Sequence, residues 1–177
     1  MPNKLYPIPP GFLLPPYINR TDICIDLART PLETIMEFPL AFDLLHELKE
    51  PIPYKPWEQD EEPVDVLFAV WKRKRKEQEH RLQQQKKADA VLMGYAYSAF
   101  MACLHWMNGQ HVLTLKPDNL DLLDIKPVNA AERLQFVRES PLQFHAFIQM
   151  KELFLELEKM HQKKLLLSKF KKEKPLG

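Results

Sequence analysis

Two Glu-x-x-His pairs, Glu77 with His80 and Glu158 with His161, are the first residues in this sequence whose spacing could do chemistry. One helical turn apart, each pair sets a carboxylate and an imidazole on one face, as in the bundles that hold two metal ions. Such a centre needs two further carboxylates in the same desolvated core, whereas Glu77 and His80 lie within a run of solvated charge. A dimetal helical enzyme is therefore kept only as a third reading, and no metal or other cofactor is expected. His46 opens HELKE, which lacks the second histidine of a zinc-protease helix. Cys103 sits in the most apolar stretch and Cys24 between two isoleucines, so both read as reduced core thiols rather than nucleophiles. The phosphate-cradling GxxxxGK[ST] and GxGxxG loops do not occur. No catalytic residue is expected.

Polar residues capable of recognition collect where helices should meet. They are Trp106, Asn108 and Gly109; Lys126, Pro127 and Asn129 with Glu132 and Arg133; and Pro141 with His145 and Gln149. His145 and Gln149 lie one turn apart, as do Asn129 and Arg133, and in a bundle these junctions come together at one end. A polar recognition pocket and simple capping of helix ends are the two readings.

Charge is segregated. Residues 22–65 hold twelve acids against three bases, a net −9, whereas 66–87 and 159–177 each carry +6 in a chain of net +1. Lys72, Arg73, Lys74, Arg75 and Lys76 offer anion contacts to nucleic acid or another anionic surface. Five successive bases point all around a helix, however, and no aromatic residue interrupts Lys72 to Lys87 to stack on a base. The lysines from Lys163 to Lys174 read as a solubilising tail.

Helices must position these groups. Twelve of the 16 prolines fall at or before Pro63, so residues 1–63 form a proline-rich, acidic arm that wraps on the body. Within the arm, residues 31–49 carry apolar positions at helical spacing behind a Thr30 cap, with Pro39 kinking or splitting the helix. Tyr54 and Trp57 in the acidic linker should dock on the body. A helix is expected from Val64 to about Lys87 that opens apolar with Val66, Leu67, Val70 and Trp71 and whose latter half is polar and projects into water, supported by pairs such as Glu77 with Arg81. Asp89 to Asn108 is apolar on nearly all faces and rich in small residues; it reads as a central helix ended by Asn108-Gly109. Its 18 uncharged residues, 90–107, approach a membrane span, but its tyrosines, histidine and small residues favour a buried core, and no span is expected. HVLTL suggests a short extended piece and LDLLDIKP a one-turn connection. Asn129 with Glu132 has capping-box spacing for a helix to about Glu139, and Ser140-Pro141 with Gln143 opens a last long helix.

The segments LHWMNG, KPxNAAERLQFV and SPLQFHAFIQMKELFLELEK together resemble the YpoC-like family, small helical proteins of Gram-positive bacteria. The resemblance covers approximately Trp57 to Lys159. It implies a cytoplasmic helical domain and supplies no catalytic residue. It adds weight to Trp106, Asn108, Gly109, Lys126, Pro127, Asn129, Glu132, Arg133 and His145.

These readings converge on an all-α, single-domain bundle of about five helices with a proline-rich N-terminal arm: the arm, with one kinked helix packing on the body, at 1–63, the helical bundle at 64–172 and a flexible tail at 173–177. Proline-interrupted residues at the start contain no signal-like apolar run, and a cytoplasmic chain is expected. Its expected role is a non-catalytic protein-interaction or adaptor module with an unidentified protein partner. The alternative is a nucleic-acid or anionic-surface binder through residues 72–87.

Overall fold

Proline decides the local structure of the first third. Thr30 caps a helix whose N3 residue, Glu33, bonds back to the Thr30 amide, a complete capping box with Pro31 at the first position. This helix, α1 (Pro31–Glu37), ends because Phe38 precedes Pro39 and is driven to extended φ/ψ (−135°, 100°). A second helix, α2 (Ala41–Glu47), follows, so Pro39 splits the segment rather than kinking it. The computed structural model describes residues 3–85, 87–140 and 142–173.

The chain is mostly helical, with six α-helices among the described residues, one more than expected. It is not purely helical. A two-stranded antiparallel sheet pairs β1 (Asn3–Pro7) with β2 (Asp22–Asp26), Leu5 opposite Cys24. The sequence DICID alternates polar and apolar, burying Ile25 while exposing Cys24, which corrects the reading of that thiol as a core residue. The acidic linker closes on the body as expected: Trp57 is buried and Tyr54 lies against Phe42 at 5.7 Å between ring centres.

Four helices form the body: α3 (Glu62–Gln85), α4 (Ala90–Met107), α5 (Ala130–Glu139) and α6 (Phe144–Glu173). Asp89 caps α4, accepting from the amides of Val91 and Leu92 at 2.8 and 3.2 Å. Thirteen of its 18 residues are buried, because α3, α6 and the linker surround it. Although α4 is long and apolar enough to cross a membrane, 72% of that stretch is enclosed by the rest of the chain. Gly94 is required here: a Cβ would stand 3.1 Å from the Tyr17 carbonyl, so only glycine lets the arm lie this close. Between α3, α4 and α6, Trp71 stacks on Phe154 at 4.4 Å and Phe100 meets that ring edge-on at 5.3 Å.

Several local expectations change. The distal half of α3 does not project freely, since Trp71, Gln78 and Leu82 share one face and are buried. Arg81 pairs with Asp89 at 2.9 Å instead of with Glu77. HVLTL forms no strand, whereas LDLLDIKP holds the one-turn connection expected of it, a 3-10 turn at Leu120–Leu122. Asn129 precedes α5 in a left-handed conformation (φ 56°) with no side-chain cap bond, so its spacing with Glu132 produces no capping box. Ser140 is the C-cap of α5 and not the N-cap of α6, which begins at Phe144. Pro141 lies outside the described residues. Gly109, at φ 69°, ends α4 as its sequence required.

Candidate functional site

The junction residues do not assemble into one pocket; they divide among three places. Trp106 points into the core, where its Nε1 donates to Asp43 Oδ1 at 3.2 Å. The Val112 amide donates to the same oxygen at 2.7 Å, pinning the chain after α4 to α2. Asp43 Oδ2 is buried without a hydrogen-bond partner, and burial pushes the carboxyl up to about 7. His46, His111 and Trp57 form an aromatic cluster nearby, centroids 4.5 to 5.2 Å apart. His111 is held below the ordinary histidine range by burial and by His46, and His105, whose Nδ1 donates to the Met101 carbonyl, is held down by burial.

Asn108 and Lys126 tie down the loop beyond α4. Asn108 Nδ2 donates to the carbonyls of Leu104 (2.7 Å) and Ile125 (2.8 Å), and its Oδ1 accepts from the Ile125 amide at 2.9 Å. Lys126 Nζ donates to the carbonyls of Leu123 at 2.6 Å and Asp121 at 3.2 Å. These bonds satisfy backbone groups that a helix end and a tight loop leave over.

Arg133 joins α5 to α6. Its guanidinium makes a two-pronged contact with Glu156, both bonds 2.9 Å, and donates to the Val128 carbonyl at 3.0 Å. The Gln149 carboxamide oxygen, turned toward it, accepts from Nη2 at 3.1 Å. The structure thus brings Arg133 and Gln149 together. His145 stays exposed one turn before Gln149, with the Phe144 ring 6.0 Å away, and Asn129 is exposed as well.

Along the basic run, α6 and neighbouring side chains take up most of the charge. Lys72 pairs with Glu158, Arg75 with Glu79 at 3.8 Å, and Lys151 reaches the same Glu79 at 2.7 Å. Lys74 lies over the Tyr95 ring at 4.6 Å. Arg73 and Lys76 are the exposed remainder. Of the two Glu-x-x-His pairs, Glu158 is held by Lys72, and buried His161 donates from Nε2 to Asp65 Oδ1 at 2.7 Å. Glu77 and His80 face solvent. Among the described residues no three His, Cys, Asp or Glu side chains are grouped to hold a metal ion. Cys103 is buried, and burial pushes its thiol well above the ordinary range, away from thiolate chemistry.

The distal half of α6 holds chemistry that the sequence did not single out. Its inner face carries Lys164, which donates to the Met107 carbonyl at the end of α4, and Lys169 and Lys172, which face Asp60, Glu61 and Asp65 across a cavity of about 470 Å³. Its outer face exposes Leu166 (56%), Leu167 (53%) and Phe170 (58%) beside Lys163 and Lys171. The available signal was Leu166 and Phe170 at i and i+4 inside a lysine-rich segment, which a purely solubilising tail does not need.

The family described as YpoC-like protein matches residues 61–169. A Bacillus subtilis (strain 168) relative, named Uncharacterized protein YpoC, is 33% identical over 130 residues, 72% of this chain and 77% of its own length. No solved structure matches the chain. The chain belongs to the YpoC-like family.

Proposed function

We propose that this member of the YpoC-like family is a cytoplasmic, non-catalytic protein-interaction module, and that an acidic segment of a partner protein docks on the outer face of distal α6. The observation that carries this reading is the exposure of Leu166, Leu167 and Phe170 beside lysines, on a helix whose inner face turns toward the chain's own acidic residues. A partner's apolar side chains cover the leucines and phenylalanine, and its carboxylates meet the lysines. The chain's own acidic linker faces the inner lysines across their cavity, which leaves the outer ones as the available cations. Catalysis finds no support in the junction residues, since Trp106, Asn108, Lys126 and Arg133 are engaged within the chain and His145 stands alone at the surface. Phosphate tracking along 72–76 is weakened because Lys72, Lys74 and Arg75 are held by neighbours.

A photo-crosslinking residue placed at Leu166 of the full chain in its host tests the proposal, with one at Leu122, exposed elsewhere, as control. A discrete adduct with another protein from position 166 alone, lost when Lys163 and Lys171 are changed to Glu, is expected. Equal adducts from both positions, adducts only with a second copy, or none at all overturn it. Tight binding to random duplex DNA that weakens steeply with salt would transfer the role to the basic surface.

A further inference from the structure

A second cavity, also about 470 Å³, opens on the opposite side of α4 from α6, between that helix, α1 and the hairpin. Its floor is Gly94, Tyr95 and Ser98 of α4, and Ile23, Ile25 and Phe38 supply apolar walls. This size and lining suit a small ligand with an apolar body.

Two polar features distinguish it from a packing gap. Ser98 is 1% exposed, and its hydroxyl has no hydrogen-bond partner although the residue lines the cavity. A helical serine ordinarily bonds back to the carbonyl four residues earlier, and a buried hydroxyl without any partner is a cost the fold otherwise avoids. At the rim, the acids Asp26 and Glu37 are both paired with Arg29, whereas exposed Arg20 has no ion pair among the described residues. The rim therefore presents one available guanidinium, the group best shaped for a carboxylate. The Tyr95 hydroxyl is already engaged, donating to the Met36 carbonyl at 2.7 Å.

We infer that this cavity binds a small amphipathic carboxylate, its apolar body between Ile23, Ile25 and Phe38, its carboxylate at Arg20 and a hydroxyl or carbonyl at Ser98. Cys24 lines the same cavity with an exposed thiol while Cys103 is buried, so the native chain carries its own reporter.

The test uses four probes on the full chain: 3-(4-hydroxyphenyl)propionate, 10-hydroxydecanoate, and the two acids lacking the hydroxyl. Binding is read as protection of Cys24 from maleimide and by calorimetry. At least one hydroxylated acid should bind saturably and about tenfold tighter than its counterpart, the worth of one good hydrogen bond. Ser98→Ala should erase that preference without lowering the melting temperature, since it removes an unpartnered hydroxyl. Arg20→Gln should weaken both members of the binding pair by a similar factor while keeping the preference. No saturable binding by any of the four, or a preference unchanged in Ser98→Ala, overturns the inference.

Discussion

The C-terminal end and the middle of one helix treat their polar residues in opposite ways. At the C-terminal end of α4, the indole of Trp106 and the carboxamide of Asn108 bond to the chain itself, and Lys126 and Arg133 do the same just beyond. In its first half, Ser98 keeps a buried hydroxyl with no partner beside an open cavity. Helix ends leave backbone groups that polar side chains must complete, so polarity there is explained by the fold. A polar atom left over in the middle of an apolar helix has no such explanation. The contrast teaches that engagement, more than residue type, separates a structural polar group from a binding one.

The comparison breaks most decisively at Asp43. Asp43→Ala leaves the Val112 amide and the Trp106 indole without their buried acceptor, and a loss of about 3 kcal/mol is expected in denaturant unfolding. A loss under about 1 kcal/mol would mean that this end is not held as described. The same residue sets a pH dependence. Its carboxyl is raised from 3.8 to about 7, so the folded chain holds a proton that the unfolded chain has released. Its contribution is full below about pH 4 and is lost as pH rises through 7, on the order of a few kcal/mol. His105 and His111 act oppositely, because their depressed values make stability present above the ordinary histidine range and lost as pH falls through the lowered ones. Asp43→Asn should flatten the decline between pH 4 and 7 and leave the histidine limb, as a series of melting curves would show.

Asn108→Ala should cost about 2 kcal/mol by freeing the Ile125 amide and two carbonyl contacts, again read from unfolding. Arg133→Ala should cost only about 1 kcal/mol, because Glu156 is 39% exposed and water screens the pair. The smallest effect belongs to the other side of the comparison. Ser98→Ala should leave stability within about 0.5 kcal/mol or raise it, since no bond is lost. A clear destabilisation by calorimetry would show that Ser98 is structural and erase the distinction between the two regions.

Much of the architecture was legible locally. The Thr30 cap, the break at Pro39, the apolar α4 and its end at Gly109 each follow from residues a few positions apart. Helix count and start points failed where local rules compete: Asn129 and Ser140 have capping chemistry, yet one adopts a left-handed conformation and the other closes α5. The hairpin was hidden because Asn3–Pro7 and Asp22–Asp26 are strands of five residues apiece, separated by a proline-broken loop. Of the candidate site residues, Arg133 and Gln149 lie together on neighbouring helices, whereas the engagement of Lys72 and Lys74 depends on partners far along the chain.

The sequence by itself determined that the body is helical and which helix is central, because proline, glycine and the spacing of apolar residues act over a few bonds. It also determined the family, through residues 61–169. Only the tertiary structure decided which polar groups are engaged, since Arg133 meets Glu156 across 23 positions and Asp43 meets Val112 across 69. Hydrogen bonds of that range are fixed by how α2, α4, α5 and α6 lie together, and so is the gap that leaves Ser98 without a partner.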